Sequence, residues 1–100
     1  MSVIVTLNFE GDPAQMEAQA AAEPDRIRAI VDQAKEHGLI AHRFYGSDGR
    51  ILVVDEWPDE QSFQAFFAGQ PEIADVLRDG GAQGPPETSV YRKLSTPDQF

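Results

Sequence analysis

The chain has no cysteine and few basic residues, and both absences limit its chemistry. Without cysteine there are no disulfides, no thiolate metal sites and no cysteine nucleophile. Lysine and arginine number 8 in 100 residues, against 17 acidic residues, so the formal net charge is −9. Nucleic-acid phosphates and anionic membrane surfaces both attract clustered cations. We therefore expect neither a nucleic acid nor a membrane as a partner.

Long apolar runs and a basic N-terminal leader are also missing. No stretch approaches the ~18 apolar residues of a membrane-spanning helix. The opening residues, MSVIVTLNFEGD, carry no basic flank and do not resemble a signal peptide. A soluble cytoplasmic protein is the expectation. The 41% of hydrophobic residues suffice for a packed core, and 100 residues fit one domain. We therefore predict a single domain over residues 1–100, in which 95–100 form a loose tail.

Hydrophobic periodicity predicts the order β-α-β-β-α-β. The predicted strands are residues 3–9, 39–45, 50–57 and 88–94. Asp12-Pro13 favours a helix start, and Pro24 must kink or restart that helix because proline lacks an N–H. Residues 46–49 read as a four-residue hairpin loop and 81–87 as a flexible link. The prediction is a ferredoxin-like α+β fold: a four-stranded, antiparallel-rich sheet with helices on one face.

The first and third strands are predicted to be central, adjacent and parallel. That arrangement places Asn8 and Trp57 at the same end of the sheet, where crevices form between strands and helices. The Asn8 amide can donate to a substrate carbonyl or enolate oxygen, and the Trp57 indole can stack on a flat ligand. The structural alternatives are local backbone capping for Asn8 and core filling for Trp57.

The third strand is apolar on both faces, which one layer of helices cannot cover. Ile51 and Val53 share one face, whereas Leu52 and Val54 share the other. An uncovered apolar face of that size is unusual for a soluble monomer. We therefore predict a homodimer through the sheet face.

The run from Trp57 to Phe66, W-P-D-E-x-x-F-x-x-F, together with the element order, resembles the dimeric α/β-barrel proteins. The likeness is closest to the antibiotic-biosynthesis-monooxygenase type, over roughly residues 2–94. The resemblance implies a dimeric barrel and, in some members, cofactor-independent quinone-forming monooxygenase activity. Its haem-degrading branch has a histidine on the helix after the third strand. Residues 59–81 contain no histidine, so haem breakdown of that kind is not expected.

Two further residues are candidate bases. Asp55 lies on the face of Trp57, with a salt bridge to Arg43 or Arg92 as the structural alternative. His42 is on an edge strand and can face either a pocket or solvent. Two histidines without carboxylates at ligand spacing are a weak metal signal. We therefore predict neither a metal nor a cofactor.

The predicted ligand is small and apolar or aromatic. Phe63, Phe66 and Phe67 recur at helical spacing, which is typical of a core, and they can also wall an apolar pocket. Two functions fit these residues equally. One is a cofactor-independent monooxygenase-like enzyme acting on a flat enolisable substrate, with Asp55 or His42 as base and Asn8 as donor. The other is a non-catalytic ligand-binding or structural dimer.

Overall fold

The structure, a computed structural model, describes residues 2–100 and has the predicted ferredoxin-like α+β fold. Four strands form one sheet in the order β2-β3-β1-β4, and every neighbouring pair is antiparallel. The elements are β1 Val3–Glu10, α1 Pro13–Ala22, α2 Pro24–Glu36, β2 Ala41–Ser47, β3 Arg50–Trp57, α3 Glu60–Ala68, α4 Glu72–Asp79 and β4 Gln83–Arg92.

Local sequence signals fix the helix starts. Asp12 Oδ1 accepts from the Ala14 N–H at 2.9 Å, and Pro13 opens α1. Pro24 separates α1 from α2, as its missing N–H requires. Asp59 Oδ1 accepts from the Ser62 N–H at 2.7 Å and so caps α3. The Asp59 cap fixes where α3 begins after the end of β3.

The parallel pairing predicted for β1 and β3 is wrong. Val3 lies opposite Trp57, and Asn8 lies opposite Leu52, in an antiparallel register. Helices α1 and α2 carry the chain back to the end of the sheet where β1 began, so β2 runs in the same direction as β1. The hairpin then reverses β3, which inserts between them. Asn8 and Trp57 therefore lie towards opposite ends of the sheet.

Two strand boundaries also differ from the sequence prediction. The hairpin between β2 and β3 turns over two residues, Asp48 and Gly49, because Ser47 pairs with Arg50. Gly49 has a positive φ of 71°, which glycine adopts without strain. The predicted flexible link instead contributes to β4, which begins at Gln83 and pairs with Glu10. The strand forms although it contains Pro85 and Pro86, because residues on either side of the two prolines still pair with β1.

The four helices pack on one face of the sheet and enclose the core. Val5, Ile51 and Trp57 are nearly inaccessible there. The opposite face, here called the outer face, carries Leu52 and Val54 in half-buried positions. Residues 95–100 lie outside the helices and strands and are exposed. Within residues 2–100, no helix combines the length and hydropathy that membrane crossing needs.

Candidate functional site

An apolar cavity of about 70 Å³, partly open to solvent, lies between the sheet and helices α2, α3 and α4. Its lining side chains are aliphatic or aromatic, with the exception of His42 and Asp55. Ile27, Ile30 and Val31 of α2 form one wall. Their helical spacing was visible in the sequence as a core pattern. What the sequence did not indicate is that this core face also borders a cavity.

His42 and Asp55 form a hydrogen-bonded pair at the edge of this cavity. They lie directly opposite each other on β2 and β3, with both side chains on the helix-covered face. His42 Nδ1 is 2.6 Å from Asp55 Oδ1. The side chains are 24% and 13% exposed, so the pair is largely shielded from water. Charge-assisted hydrogen bonds strengthen as water is removed.

The pairing assigns the roles of the two imidazole nitrogens. A carboxylate only accepts hydrogen bonds, so the bridging proton sits on Nδ1 of His42. In the neutral ring, Nε2 is then free to accept a proton. Phe44 packs edge-on against the imidazole, with ring centroids 5.3 Å apart, and helps to hold its plane. This is the arrangement of a histidine base positioned by a carboxylate.

The sequence analysis offered His42 and Asp55 as alternative bases, and the structure brings them together. The salt bridge considered between Asp55 and Arg43 is not formed, because Arg43 lies on the outer face opposite Val54. Arg92 is at the far edge of the sheet, in β4. Asp55 therefore has a histidine partner on the neighbouring strand in place of an arginine.

Trp57 closes the deep end of the cavity and is 1% exposed. Its indole packs against Phe63 and Phe66, with ring centroids 5.9 and 5.5 Å apart. Within residues 2–100, its Nε1–H is the one fully buried side-chain polar atom that has no hydrogen-bond partner. An unpaired buried donor has a free-energy cost of ~1–3 kcal/mol. A ligand oxygen in the cavity can remove that cost.

The three phenylalanines of α3 line the same cavity. Phe63 and Phe66 are buried in the core, and Phe67 packs against them from a partly buried position. Phe63 and Phe67 are in ring contact at 5.3 Å. Together they form an aromatic wall of the cavity.

Asn8 is not part of this site, which corrects the expectation that it lies beside Trp57. Its side chain is on the outer face, where Oδ1 accepts from Arg50 Nη2 at 2.6 Å and from Nε at 3.2 Å. The antiparallel register is the reason, since it separates Asn8 from Trp57 along the length of β1. The donor role expected of Asn8 is open to Trp57 instead.

A metal has no evident binding group in the part of the chain that the structure describes. Among residues 2–100, no cluster of three or more histidine, aspartate or glutamate side chains is placed to hold an ion. The His42–Asp55 pair alone supplies two ligands, whereas structural and catalytic metal sites generally use three or four protein ligands.

Sequence comparisons identify no relatives: no family model matches the chain, and no curated protein matches it. Solved structures do match. The ActVA-Orf6 monooxygenase of Streptomyces coelicolor, in complex with nanaomycin D, aligns with a TM-score of 0.65 at 18% identity, covering 97% of this chain and 93% of that one. A variant of SnoaB, a cofactor-independent oxygenase from Streptomyces nogalater, gives 0.64 at 17% identity and 98% coverage of both.

A third match is a conserved protein from Methanosarcina mazei Go1, with a TM-score of 0.64 at 14% identity and 94% coverage of both chains. Identities this low establish a shared fold and leave the activity open. The resemblance first indicated by the strand–Trp–helix step is thus confirmed at that level. The chain has the fold of the antibiotic-biosynthesis-monooxygenase-type proteins.

Proposed function

We propose that this protein is a cofactor-independent monooxygenase-like enzyme that deprotonates a flat, apolar, phenolic or enolisable substrate. One observation carries the proposal: a histidine–carboxylate pair with a 2.6 Å contact borders an otherwise apolar cavity. A core built for stability alone gains little from a polar pair at such a position. A site that deprotonates an apolar substrate away from water, by contrast, requires such a polar pair.

His42 Nε2 takes the hydroxyl proton of the substrate, here considered as a naphthol. Asp55 stabilises the imidazolium that forms, through the hydrogen bond on Nδ1. The Trp57 Nε1–H is the available donor to the substrate oxygen, on which negative charge develops. The apolar walls hold the ring and exclude water, which strengthens both interactions.

The deprotonated ring then supplies electrons to molecular oxygen, the co-substrate. One oxygen atom forms a new carbon–oxygen bond at the ring and ends as a carbonyl. The second oxygen leaves as water, with the ring C–H hydrogen and the proton held by His42. A naphthol and oxygen thus give a naphthoquinone and water, with all four electrons passing from ring to oxygen. The fold shared with the cofactor-independent oxygenase SnoaB supports this reaction class.

The cavity must widen before such a substrate fits. Its volume of about 70 Å³ is roughly half of the ~150 Å³ that holds one benzene ring in an engineered protein core. Half-buried side chains are easier to displace than fully buried ones, because fewer contacts hold them. On the α2–β2 side the half-buried lining residues are Ile27, Ile30, Val31, Leu39, His42 and Phe44.

We also propose that the protein is a homodimer assembled through the outer face. Its half-buried aliphatic side chains are Ile4 on β1 and Leu52 and Val54 on β3. Tyr45 and Tyr91, which are 52% and 55% exposed, lie opposite Leu52 and Ile4 on the two edge strands. Aliphatic residues and tyrosines are common in protein interfaces. A second copy of the chain is the partner proposed for this face.

Oxygen uptake with α-naphthol, in buffer containing a metal chelator and no flavin, tests the enzyme proposal. We expect uptake and quinone formation in equal amounts. The variants His42→Gln and Asp55→Asn should each lower the rate by roughly 10²- to 10⁴-fold, the usual contribution of general base catalysis. His37→Gln is the matched control, because His37 contacts the Gln33 carbonyl oxygen at the end of α2 and does not line the cavity. Equal rates in all three variants would contradict the proposal.

The alternative function is non-catalytic binding of a small apolar ligand, which the apolar cavity itself favours. Trp57 is the single tryptophan and lines the cavity, so its fluorescence reports occupancy. A fluorescence change with α-naphthol, without oxygen uptake above the buffer rate, would select the binding function.

A further inference from the structure

A groove of about 410 Å³ lies outside the cavity, between α2 and the edge strand β2. Its lining residues are Ile27, Arg28, Val31, Asp32, Lys35 and His42. Three of them, Ile27, Val31 and His42, also line the cavity. The groove and the cavity are therefore separated by a wall one side chain thick. Because β2 has no neighbouring strand on this side, the sheet does not cover that wall.

The wall is half-buried and includes the proposed base. Ile27, Val31 and His42 are half-buried, whereas Trp57 and Phe66 at the deep end are 1% and 5% exposed. A rotamer change at a half-buried residue disturbs fewer contacts than one in the core. Movement of these three side chains would join groove and cavity and place an entering ligand against His42.

The groove also has a charge unlike that of the rest of the protein. Arg28 and Lys35 are two helical turns apart on α2, so they share one face, and Asp32 lies between them. Within residues 2–100, neither cation is in a salt bridge. With His42 neutral, the lining carries two positive charges and one negative charge, whereas the whole chain carries −9.

We propose that ligands enter the cavity through this groove, and that Arg28 and Lys35 select a ligand bearing an anionic group beside its flat apolar portion. The inference rests on the proposed function, for which it names the entry route and the substrate class: an aromatic carboxylate or sulfonate. The apolar portion passes Ile27 and Val31 into the cavity. The anionic group stays in the groove, where water and the two cations remain available.

Two fluorescent naphthalenes of matched skeleton test the charge selection. Anilinonaphthalene sulfonate is anionic, and N-phenylnaphthylamine is neutral. Both become brighter in apolar surroundings and both should be displaced by α-naphthol. The double variant Arg28→Gln/Lys35→Gln should weaken binding of the sulfonate roughly 5- to 10-fold, as expected for two solvent-accessible ion pairs. Binding of the neutral compound should change less than about twofold.

The matched control is Arg92→Gln/Lys93→Gln, which removes the same charge at the opposite edge of the sheet from residues that do not line the groove and, within residues 2–100, are in no salt bridge. Three strand spacings of ~4.8 Å separate β4 from β2. That distance exceeds the Debye length at physiological salt, so the affinity of both compounds should stay within about twofold. An equal loss in both double variants would mean that net charge alone attracts the sulfonate, and would overturn the proposal. So would a wild-type protein that binds neither compound.

The entry route has its own test in the variant Val31→Phe, which thickens the wall. Stopped-flow association of both compounds should slow at least about fivefold, whereas an unchanged association rate would overturn the route. Oxygen uptake separates the two proposals. Uptake with α-naphthol but no charge selection removes the groove proposal alone. Charge-selective binding without uptake removes the enzyme proposal and leaves the groove in place.

Discussion

The two faces of β3 carry similar aliphatic residues and meet different surroundings. Ile51 and Val53 face the helices and are 2% and 3% exposed. Leu52 and Val54, each the next residue along, face away from the helices and remain half-buried. The covered face also holds the His42–Asp55 pair, because only there is water excluded from a polar contact. The covered face thus holds the candidate site, and the outer face is the one through which the dimer is proposed to form.

The largest expected effect comes from adding a charge to the covered face. Val53→Asp places a carboxylate among the side chains that line the cavity, where no cation faces it. Burial of an unpaired charge should lower the free energy of unfolding by ~4 kcal/mol or more, a large share of the total for a domain of this size. Urea unfolding followed by circular dichroism measures the loss. A midpoint equal to that of the wild type would contradict the burial of this face.

The corresponding substitution at the next residue, Val54→Asp on the outer face, should weaken formation of the proposed dimer. In Val54→Asp the new carboxylate lies opposite Arg43 on β2, which favours the folded chain. In the proposed dimer it would be buried against a second copy, so association should weaken at least ~100-fold. Light scattering at micromolar concentration should show the mass of one chain, against two for the wild type. A variant that remains dimeric would place the interface elsewhere.

The smallest expected effect concerns the Asp59 cap at the start of α3. The Ser62 backbone N–H, which donates to Asp59, lowers the pKa of that carboxyl below its ordinary value, and the Ser62 side chain adds to the effect. A carboxyl with a depressed folded-state pKa stabilises the fold above its unfolded pKa. That contribution is lost as the pH falls through the folded value.

The stability difference between wild type and Asp59→Ala should therefore be full at neutral pH and shrink below about pH 4. Asp59→Asn keeps a capping oxygen without titrating, so its stability relative to Asp59→Ala should not follow this pH dependence. Thermal unfolding across a pH series makes the comparison. A wild-type advantage that persists unchanged at low pH would show that the ionised cap does not stabilise α3.

The hairpin shows how a small error in local structure hides a site. A four-residue loop over 46–49 pairs Tyr45 with Arg50, and that register places Ile40 opposite Asp55. The observed two-residue turn pairs Ser47 with Arg50, which moves the partner of Asp55 to His42. Both turn lengths suit an Asp-Gly sequence. The sequence therefore contained both members of the candidate base and no means of joining them.

The pairing of β1 and β3 had a similar consequence. Which side chains share a face of each strand was readable, because successive residues of a strand point to opposite faces. Strand direction was not, since residue spacing within a strand is the same in either direction. A parallel pair brings Asn8 towards Trp57, and the antiparallel pair separates them. Only the path of the chain between strands decides which occurs.

The sequence by itself determined most of the elements and their order, and it showed that β3 is apolar on both faces. Periodicity, helix caps and proline positions are local signals, and they are read over a few neighbouring residues. The tertiary structure decided which side chains meet: His42 with Asp55, Trp57 with the cavity, and Asn8 with Arg50 on the other face. These contacts depend on strand register and direction, which follow from packing the whole sheet against its helices.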